Sequence, residues 1–256
     1  MIHKYTLVLL SIFCSVPSFA AAPLITDDAG TQGEGKYQLE LDYAAGVKTT
    51  NSGQELSTTF TWGIVENVDV IVGLPYDWSP FTEEGRPIAI QKGFSDTAVN
   101  IKWKFLDHSK ENGLSLALKP GVTFPTGSAQ KGLGNGEMSE GIMLIATQEW
   151  QHGAFHCNIG YTRNAYSLEE DKEALRRDIW HASIATEVNM MKNLRSVADI
   201  GIDTNTVKAS GTHPVYIIGG LIYSVTDSLD LDIGFQGGLN NTAPQATFLA
   251  GITTKF

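Results

Sequence analysis

The sequence predicts an all-β protein, folded as a transmembrane antiparallel up-and-down β-barrel of about twelve strands. The first predicted strand, residues 36–47, alternates strictly between apolar and polar side chains, which indicates a strand with one apolar face. The last predicted strand, residues 246–256, repeats this alternation and ends on Phe256. A first and a last strand of matching length and pattern can pair, and that pairing closes a sheet into a barrel without free edges.

The intervening strands follow from the same alternation, bounded by turn residues. The segment 77–93 contains two prolines and two adjacent acids, and it is predicted to be a loop. In the connection 167–178, the spacing Ser167-x-x-Glu170 resembles a capping box and predicts a short helical turn. The predicted strands span residues 36–47, 55–64, 68–76, 97–106, 113–124, 139–150, 154–165, 179–189, 194–204, 215–225, 229–239 and 246–256.

The connections between these strands alternate in length. Short periplasmic turns and longer extracellular loops are typical of outer-membrane barrels. Aromatic residues also recur near both ends of the strands, as they do at the two interfaces of a membrane. A soluble β-sandwich would show the same alternation, but the terminal Phe256, the connection lengths and the aromatic residues favour the membrane barrel. The short connections are residues 66–67, 107–112, 151–153, 190–193 and 226–228.

Three segments are predicted along the chain. Residues 1–20 form a secretory signal peptide, because basic residues precede an apolar run too short to span a membrane, and Ser18-Phe19-Ala20 provides a cleavage site. Residues 21–35 form an extended N-terminal leader, and residues 36–256 form the barrel. The predicted location is therefore the cell outer membrane. After cleavage Cys157 is the only cysteine, so no intramolecular disulfide can form.

The chain is acidic, with a net charge of −10 that becomes more negative when Lys4 leaves with the signal peptide. This charge argues against nucleic acid as a partner. The leader carries three of the acids, Asp27, Asp28 and Glu34, whose spacing fits no established calcium-binding loop. We therefore expect a leader whose acidic side chains are solvated.

Polar and charged residues on one face of the predicted strands are expected to line the lumen, since ionisable groups that face lipid are costly. Eight strands fill their interior with side chains and sixteen leave an open channel, so twelve predict a narrow or partly blocked passage. The predicted pore-lining residues are Glu40, Asp42, Asp69, Asn100, Lys102, Lys104, Lys119, His156, Asn158, His181, Glu187, Asp199, Asp203, Asp230 and Asp232.

Two histidines of the predicted lumen are candidates for a catalytic site or a metal site. His156 and His181 lie on adjacent strands, and Ser183 and Glu187 share a face with His181. A nucleophile–histidine–acid arrangement, as in a lipid-modifying enzyme, therefore stays open. Inward polar residues are, however, the ordinary state of a barrel, and no third metal ligand stands at a diagnostic spacing. The prediction is a protein without catalytic residues, metal or cofactor.

Three groups of short motifs resemble those of a known family. The leader contains Pro23-Leu24-Ile25-Thr26-Asp27-Asp28 followed by Gly30-Thr31-Gln32-Gly33. Phe94-Ser95-Asp96-Thr97 runs into Lys102-Trp103-Lys104-Phe105, and Phe124-Pro125-Thr126-Gly127 precedes a loop. These resemble the N-terminus, the Gly-x-x-Asp-Thr motif and the Leu-Pro-Thr-Gly motif of the family named for the meta-pathway of phenol degradation, with Ser95 and Phe124 as departures. The resemblance implies an outer-membrane protein that passes small, often aromatic, molecules, and no catalytic residue carries over.

The predicted function is a channel for small molecules, aromatic or hydrophobic ones among them, that diffuse passively. The alternatives are a structural or interaction barrel that does not conduct, and a lipid-modifying outer-membrane enzyme. The expected partners are outer-membrane lipid, lipopolysaccharide and the small-molecule solute.

Overall fold

The computed structural model describes residues 22–46, 53–83, 86–108 and 113–256, so the predicted signal peptide lies outside the described residues. The described chain consists almost entirely of strands, with one short helix and one 3₁₀ turn. The elements are β1 (Tyr37–Gly46), β2 (Gln54–Val65), β3 (Val68–Glu83), β4 (Arg86–Phe94), β5 (Thr97–Leu106), β6 (Leu114–Phe124), the 3₁₀ turn (Ala129–Lys131), β7 (Ser139–Trp150), β8 (Gly153–Arg163), α1 (Glu169–Ala174), β9 (Asp178–Met191), β10 (Leu194–Asp203), β11 (Val215–Thr226), β12 (Leu229–Gly238) and β13 (Ala246–Lys255).

The first and last strands pair with each other and close the sheet. β1 runs antiparallel to β13, with Gln38 opposite Lys255. The Tyr37 N–H donates to the Phe256 C=O at 2.7 Å, and the Phe256 N–H donates to the Tyr37 C=O at 3.0 Å. The other strands pair antiparallel with their neighbours around the ring, and β3 pairs directly with β5. The predicted twelve-stranded barrel is confirmed, with β4 as one additional strand.

Residues 77–83 and 86–93 belong to a hairpin, and the loop predicted for 77–93 is wrong there. β3 continues to Glu83, and β4 runs back antiparallel to it. The two prolines indicated a loop, because proline offers no N–H to a strand neighbour. Pro80 lies beyond Trp78, the last β3 residue that pairs with β2, and β4 pairs with β3 alone among the described strands. Proline is tolerated in such an edge position because no second strand needs its N–H.

Apolar and polar side chains alternate across the barrel wall. In β5, Ile101, Trp103 and Phe105 are exposed on the outside, whereas Ala98 and Lys102 are buried inside. An apolar exterior on every strand suits the hydrocarbon of a bilayer rather than water. Exposed apolar residues on the other strands include Leu41, Phe60, Leu74, Leu114, Ile142, Ile159, Ile184, Ile200, Ile217, Ile233 and Ile252.

Aromatic rings cluster near the strand ends, as predicted. At the end that carries the chain closure, Tyr37 stacks on Trp62 and on Phe256, with ring centroids 6.3 Å and 6.0 Å apart. Near the longer loops, Tyr161 packs on Trp180 with centroids 4.9 Å apart. Amphipathic rings at both ends of an apolar wall are typical of the two membrane interfaces.

The predicted helical turn is present as α1, but the predicted capping box is not formed. The helix begins after Leu168, and no side chain caps its first turn. Neither this helix nor any other in the described chain has the length and apolarity to cross a membrane.

The pairing of β5 with β6 is interrupted at Pro120. Asn100 pairs with Gly121 and Trp103 pairs with Leu118, but the two positions between them form no ladder pairs. Proline provides no N–H at this point. A Cβ on Gly121 would stand 1.9 Å from the Asn100 Oδ1 atom, so a larger residue there would displace the Asn100 side chain.

The pairing of β1 with β13 predicts which pair of introduced cysteines will form a disulfide. Ala44 lies opposite Leu249 in the β1–β13 pairing. Directly opposed residues bring their Cβ atoms within disulfide range. In a Cys157→Ser background, Ala44→Cys with Leu249→Cys should therefore form an intrachain disulfide, visible as a mobility shift on non-reducing gels.

The matched control is Ala44→Cys with Thr247→Cys, two residues out of register, which should crosslink several-fold less because diagonal neighbours stand about 7–8 Å apart. Equal crosslinking of both pairs would contradict the register.

Candidate functional site in the barrel lumen

The leader crosses the barrel lumen, so the expectation of solvated acidic side chains is wrong for Asp27, whereas Glu34 is exposed as expected. The leader enters beside β2, where the Gly35 N–H donates to the Gly63 C=O at 2.9 Å and the Gly63 N–H donates to the Lys36 C=O at 2.9 Å. This approach requires glycine, because a Cβ on Gly63 would stand 1.9 Å from the Gly33 carbonyl oxygen. Asp27, further inside, is only 1 % exposed.

Asp27 is the main ionic contact between the leader and the wall. Its carboxylate accepts hydrogen bonds from Lys102 Nζ at 2.8 Å and from Lys119 Nζ at 2.6 Å, and all three side chains are buried. The Asn158 amide, turned to match its neighbours, accepts from the Asp27 N–H at 2.6 Å and donates to the Asp27 C=O at 3.0 Å. A buried ammonium group is costly unless it is paired. The leader therefore provides a counter-charge for the basic wall of β5 and β6.

Asp199 of β10 binds the two preceding leader residues. Its Oδ2 atom accepts from the Ile25 and Thr26 N–H groups, each at 2.8 Å, and its Oδ1 atom lies 2.8 Å from Thr26 Oγ1. Backbone donors bound to a fixed carboxylate set the position of the leader along the lumen. Thr26 Oγ1 also lies 2.7 Å from Ser183 Oγ on β9.

A series of hydrogen bonds continues from Ser183 to Asp203. His181 Nε2 lies 2.9 Å from Ser183 Oγ, and His181 Nδ1 lies 2.7 Å from Asp203 Oδ1. Acid, imidazole and hydroxyl follow in the order of a hydrolytic triad, with Asp203 as the acid and not Glu187. Ser183 is 4 % exposed and its hydroxyl contacts the leader, so a substrate has no access to it in this structure. Here the series holds Thr26 in place.

Two more contacts bind the leader to β7 and β3. The Ala29 N–H donates to Thr147 Oγ1 at 2.8 Å, and that hydroxyl lies 2.9 Å from His156 Nδ1. The Gln32 N–H lies 3.1 Å and 3.2 Å from the two carboxylate oxygens of Asp69. The imidazole of His156 is thus hydrogen-bonded to Thr147, which in turn binds the leader. Across the described residues, no three His, Cys, Asp or Glu side chains are arranged to hold a metal ion.

The predicted pore-lining residues alternate with the exposed apolar residues and so share the inner face, but they differ in their partners. Lys104 pairs with Asp107 at 2.8 Å, towards the β5–β6 turn. Glu187 and Asp230 both pair with Arg195 at 3.0 Å. The residues that bind the leader directly or through one intermediate side chain are Glu40, Asp69, Lys102, Lys119, His156, Asn158, His181 and Asp199, with Asp203 behind His181.

One sector of the lumen keeps buried polar atoms that have no hydrogen-bond partner among the described residues. These atoms are Glu40 Oε2, Asp42 Oδ1, both carboxylate oxygens of Asp232 and Thr59 Oγ1. They belong to β1, β2 and β12. The leader contacts these strands at Gly63 and at Gln38, which accepts from Gln32 Nε2 at 3.0 Å and donates to Glu40 Oε1, and its other polar contacts lie on β3 and on β5 to β10. Buried polar groups are nearly always hydrogen-bonded in folded proteins. We call this set the acidic sector.

Hydrogen bonds join two of the sequence motifs on the side of the barrel that carries the longer loops, and we call this contact the clasp. The Asp96 carboxylate accepts from the Gly127 N–H at 2.9 Å and from the Asn135 N–H at 2.7 Å. The Thr97 N–H donates to Thr126 Oγ1 at 2.8 Å. Burial raises the pKa of Asp96 above its ordinary value, although both backbone N–H groups act in the opposite direction. The clasp fixes the loop after β6 to the start of β5.

Sequence reasoning missed two parts of the site. Arg195 shares its face of β10 with Asp199, so the strand alternation alone contained the signal for it. The leader contacts had no such signal, because residues 22–32 form no regular element and their partners lie on eight different strands.

Comparisons with known proteins agree with this architecture. The sequence matches the family described as "Putative MetA-pathway of phenol degradation" over residues 20–256. The COG4313 outer membrane channel from Pseudomonas putida F1 is 10 % identical, and the alignment covers 90 % of this chain and 98 % of that one with a TM-score of 0.69. The NanC porin, 10 % identical, aligns over 85 % of this chain and 98 % of its own with a TM-score of 0.56. Among curated proteins, none matches the sequence.

Neutralising Asp27 should release the leader. Asp27→Asn leaves Lys102 and Lys119 buried without this counter-charge, and breaking a buried ion pair typically costs about 3–5 kcal/mol. The N–H groups of Ile25 and Thr26 should therefore exchange with deuterium at least tenfold faster in the folded barrel, measured by mass spectrometry of the leader peptide.

Glu34→Gln is the matched control, because it removes an equal charge from an exposed position of the same leader. Similar exchange rates in both variants would contradict the role of Asp27.

Proposed function

Because the chain belongs to the family described as the MetA-pathway of phenol degradation, we propose that it is an outer-membrane channel for the passive diffusion of small molecules. The fold is that of outer-membrane barrels, and its apolar exterior suits outer-membrane lipid, with lipopolysaccharide as the expected contact of the outer leaflet. The predicted lumen residues would then line the solute path.

The observation that carries the proposal is the uneven filling of the lumen. The leader makes most of its polar contacts on β3 and on β5 to β10, whereas five buried oxygens of the acidic sector have no hydrogen-bond partner among the described residues. Atoms of this kind need water or another polar group beside them. A hydrated sector alongside the leader would give a narrow path rather than an open pore.

The inner wall also has an apolar part, and the leader covers it. Ile71, Met143 and Ile145 are buried on the inner face, and Ala29 of the leader packs with Ala117, Met143 and Ile145. The support for small aromatic solutes as the substrate class is therefore the family itself, whose description names phenol degradation.

A second candidate function is a barrel that does not conduct. The specific observation in its favour is the leader, which crosses the lumen and is held there by Asp27 and Asp199. An enzymatic function has less support, because Ser183, the only hydroxyl bonded to His181 at its Nε2 atom in the described residues, is covered by Thr26.

Conductance separates the two candidates. The purified protein in planar bilayers should show single-channel currents. Glu40, Asp42 and Asp232, which form no salt bridge in the described part of the chain, should make the channel prefer cations, more strongly at low salt where screening is weak. Glu40→Gln removes one of these charges and should lower the cation-to-anion permeability ratio roughly twofold, measured as the reversal potential under a KCl gradient.

Glu137→Gln, which removes an equal charge from an exposed loop position, should leave the reversal potential unchanged. A silent wild-type protein that also stays silent as Asp27→Asn would refute the channel and favour the structural barrel.

A further inference from the structure

Two carboxylates of the acidic sector converge on a single glycine. Asp42 of β1 and Asp232 of β12 both lie opposite Gly251 of β13, one on each side of it. A Cβ on Gly251 would stand 2.3 Å from Asp232 Oδ2 and 2.7 Å from Asp42 Oδ1, so the two oxygens lie no further apart than the sum of these distances. Both oxygens are therefore within reach of one ligand atom that stands about 2.8 Å from each.

Two further side chains of the acidic sector flank this pair. Glu40 lies two residues before Asp42 on the same face of β1, and Thr59 lies opposite Glu40 on β2. Glu40 is 4 % exposed and Thr59 is 1 % exposed. Gln38, itself bound by Gln32 of the leader at 3.0 Å, donates to Glu40 Oε1, whereas Glu40 Oε2 and Thr59 Oγ1 have no partner among the described residues. The leader thus helps to orient the Glu40 carboxylate and leaves one of its oxygens available to a ligand.

The acidic sector carries negative charges that form no ion pair in the described part of the chain. No salt bridge there involves Glu40, Asp42 or Asp232, whereas Asp230, the next inward residue of β12, pairs with Arg195 at 3.0 Å. Asp232 is 4 % exposed, and neither of its carboxylate oxygens has a hydrogen-bond partner among the described residues. A buried charge is costly unless it is paired and hydrogen-bonded. The sector therefore favours a cation as its occupant.

We propose that the acidic sector binds the primary ammonium group of a small organic solute. The unpaired atoms of the sector are all oxygens that can accept a hydrogen bond, so the ligand has to donate. A primary ammonium group offers three N–H donors, and its charge makes each hydrogen bond to a carboxylate roughly twice as strong as a neutral one. The facing oxygens of Asp42 and Asp232 bind the nitrogen, and Glu40 and Thr59 provide further acceptors beside it.

The arrangement suits an ammonium group better than a metal ion. In the part of the chain that the structure describes, no three His, Cys, Asp or Glu side chains are arranged to hold a metal, so Glu40 does not complete a metal site with the two aspartates. Calcium takes roughly six to eight oxygen ligands. An ammonium group is satisfied by as many acceptors as it has N–H donors.

This inference names a solute class for the proposed channel, and its biological role rests on that proposal. Binding does not require conduction, so it can be measured on the purified protein in detergent. A barrel that binds an amine but passes no current would refute the channel and leave the site intact. A conducting barrel that does not bind the amine would refute the site alone.

Three aromatic probes of related shape separate charge from hydrogen bonding. Benzylamine carries a primary ammonium group at neutral pH, benzyltrimethylammonium carries the charge without N–H donors, and benzyl alcohol carries a hydroxyl without the charge. Isothermal titration calorimetry at neutral pH and low salt should show that benzylamine binds the wild-type protein roughly tenfold more tightly than either of the other probes.

Substitutions locate the binding site. Asp232→Asn removes one of the two facing carboxylates and should weaken benzylamine binding roughly tenfold. The matched control is Glu187→Gln, which removes a lumen carboxylate that is already paired with Arg195 and should leave the affinity unchanged. Should Asp232→Asn fail to fold, Asp42→Asn removes the other facing carboxylate and should weaken binding in the same direction.

Three results would overturn the proposal. The first is a wild-type protein that binds benzylamine no more tightly than benzyltrimethylammonium, which would show that N–H donors are not recognised. The second is an equal loss of affinity in Glu187→Gln, which would show that binding follows the total charge of the lumen. The third is an unchanged benzylamine affinity in the folded Asp232→Asn or Asp42→Asn protein, which would place the amine elsewhere.

Discussion

The structure depends on one buried ionic contact, in which Asp27 of the leader binds both Lys102 and Lys119 of the wall. Two ammonium groups on adjacent strands inside a barrel repel each other and cannot be left unpaired without a large loss of stability. Asp27 sits between them, and Asn158 fixes the backbone of the same residue. The other leader contacts follow from this anchor, since it determines which residues stand beside Asp199, Thr147 and Asp69.

This arrangement gives the lumen two different sides. On one side the wall and the leader satisfy each other's charges. On the other side Glu40, Asp42 and Asp232 keep polar atoms free of protein partners. The same short segment therefore both narrows the barrel and decides which part of its inner surface remains available to water, solute or a cation.

The wall itself could be predicted from the sequence because a barrel strand has only two faces. Once the alternation of apolar and polar residues is read correctly, every residue on a strand is assigned to lipid or lumen, and the first and last strands identify the closure. The predicted lumen residues share the inner face for this reason. Arg195 belonged to the same alternation, yet its pairing with Glu187 and Asp230 requires knowing how β9, β10 and β12 approach one another.

The β3–β4 hairpin and the leader contacts could not be predicted, because they depend on interactions that the local sequence does not encode. Pro80 suggested a loop, and only the end of the β2 pairing at Trp78 shows that proline is harmless there. Asp27 and Asp28 look like solvated acids in a polar leader. Their burial is decided by lysines about 75 and 92 positions later in the chain, a separation that no periodicity spans.

The gap in the β5–β6 pairing at Pro120 gives the leader one more role. The unpaired positions of that seam include Lys102 and Lys119, the two residues that Asp27 joins from inside. An ionic crosslink thus stands where backbone hydrogen bonds are missing, and it joins the same two strands. The leader therefore contributes to the barrel wall, because it joins β5 and β6 from the lumen side. Removing the leader should therefore weaken the contact between β5 and β6 and also leave more of the lumen unfilled.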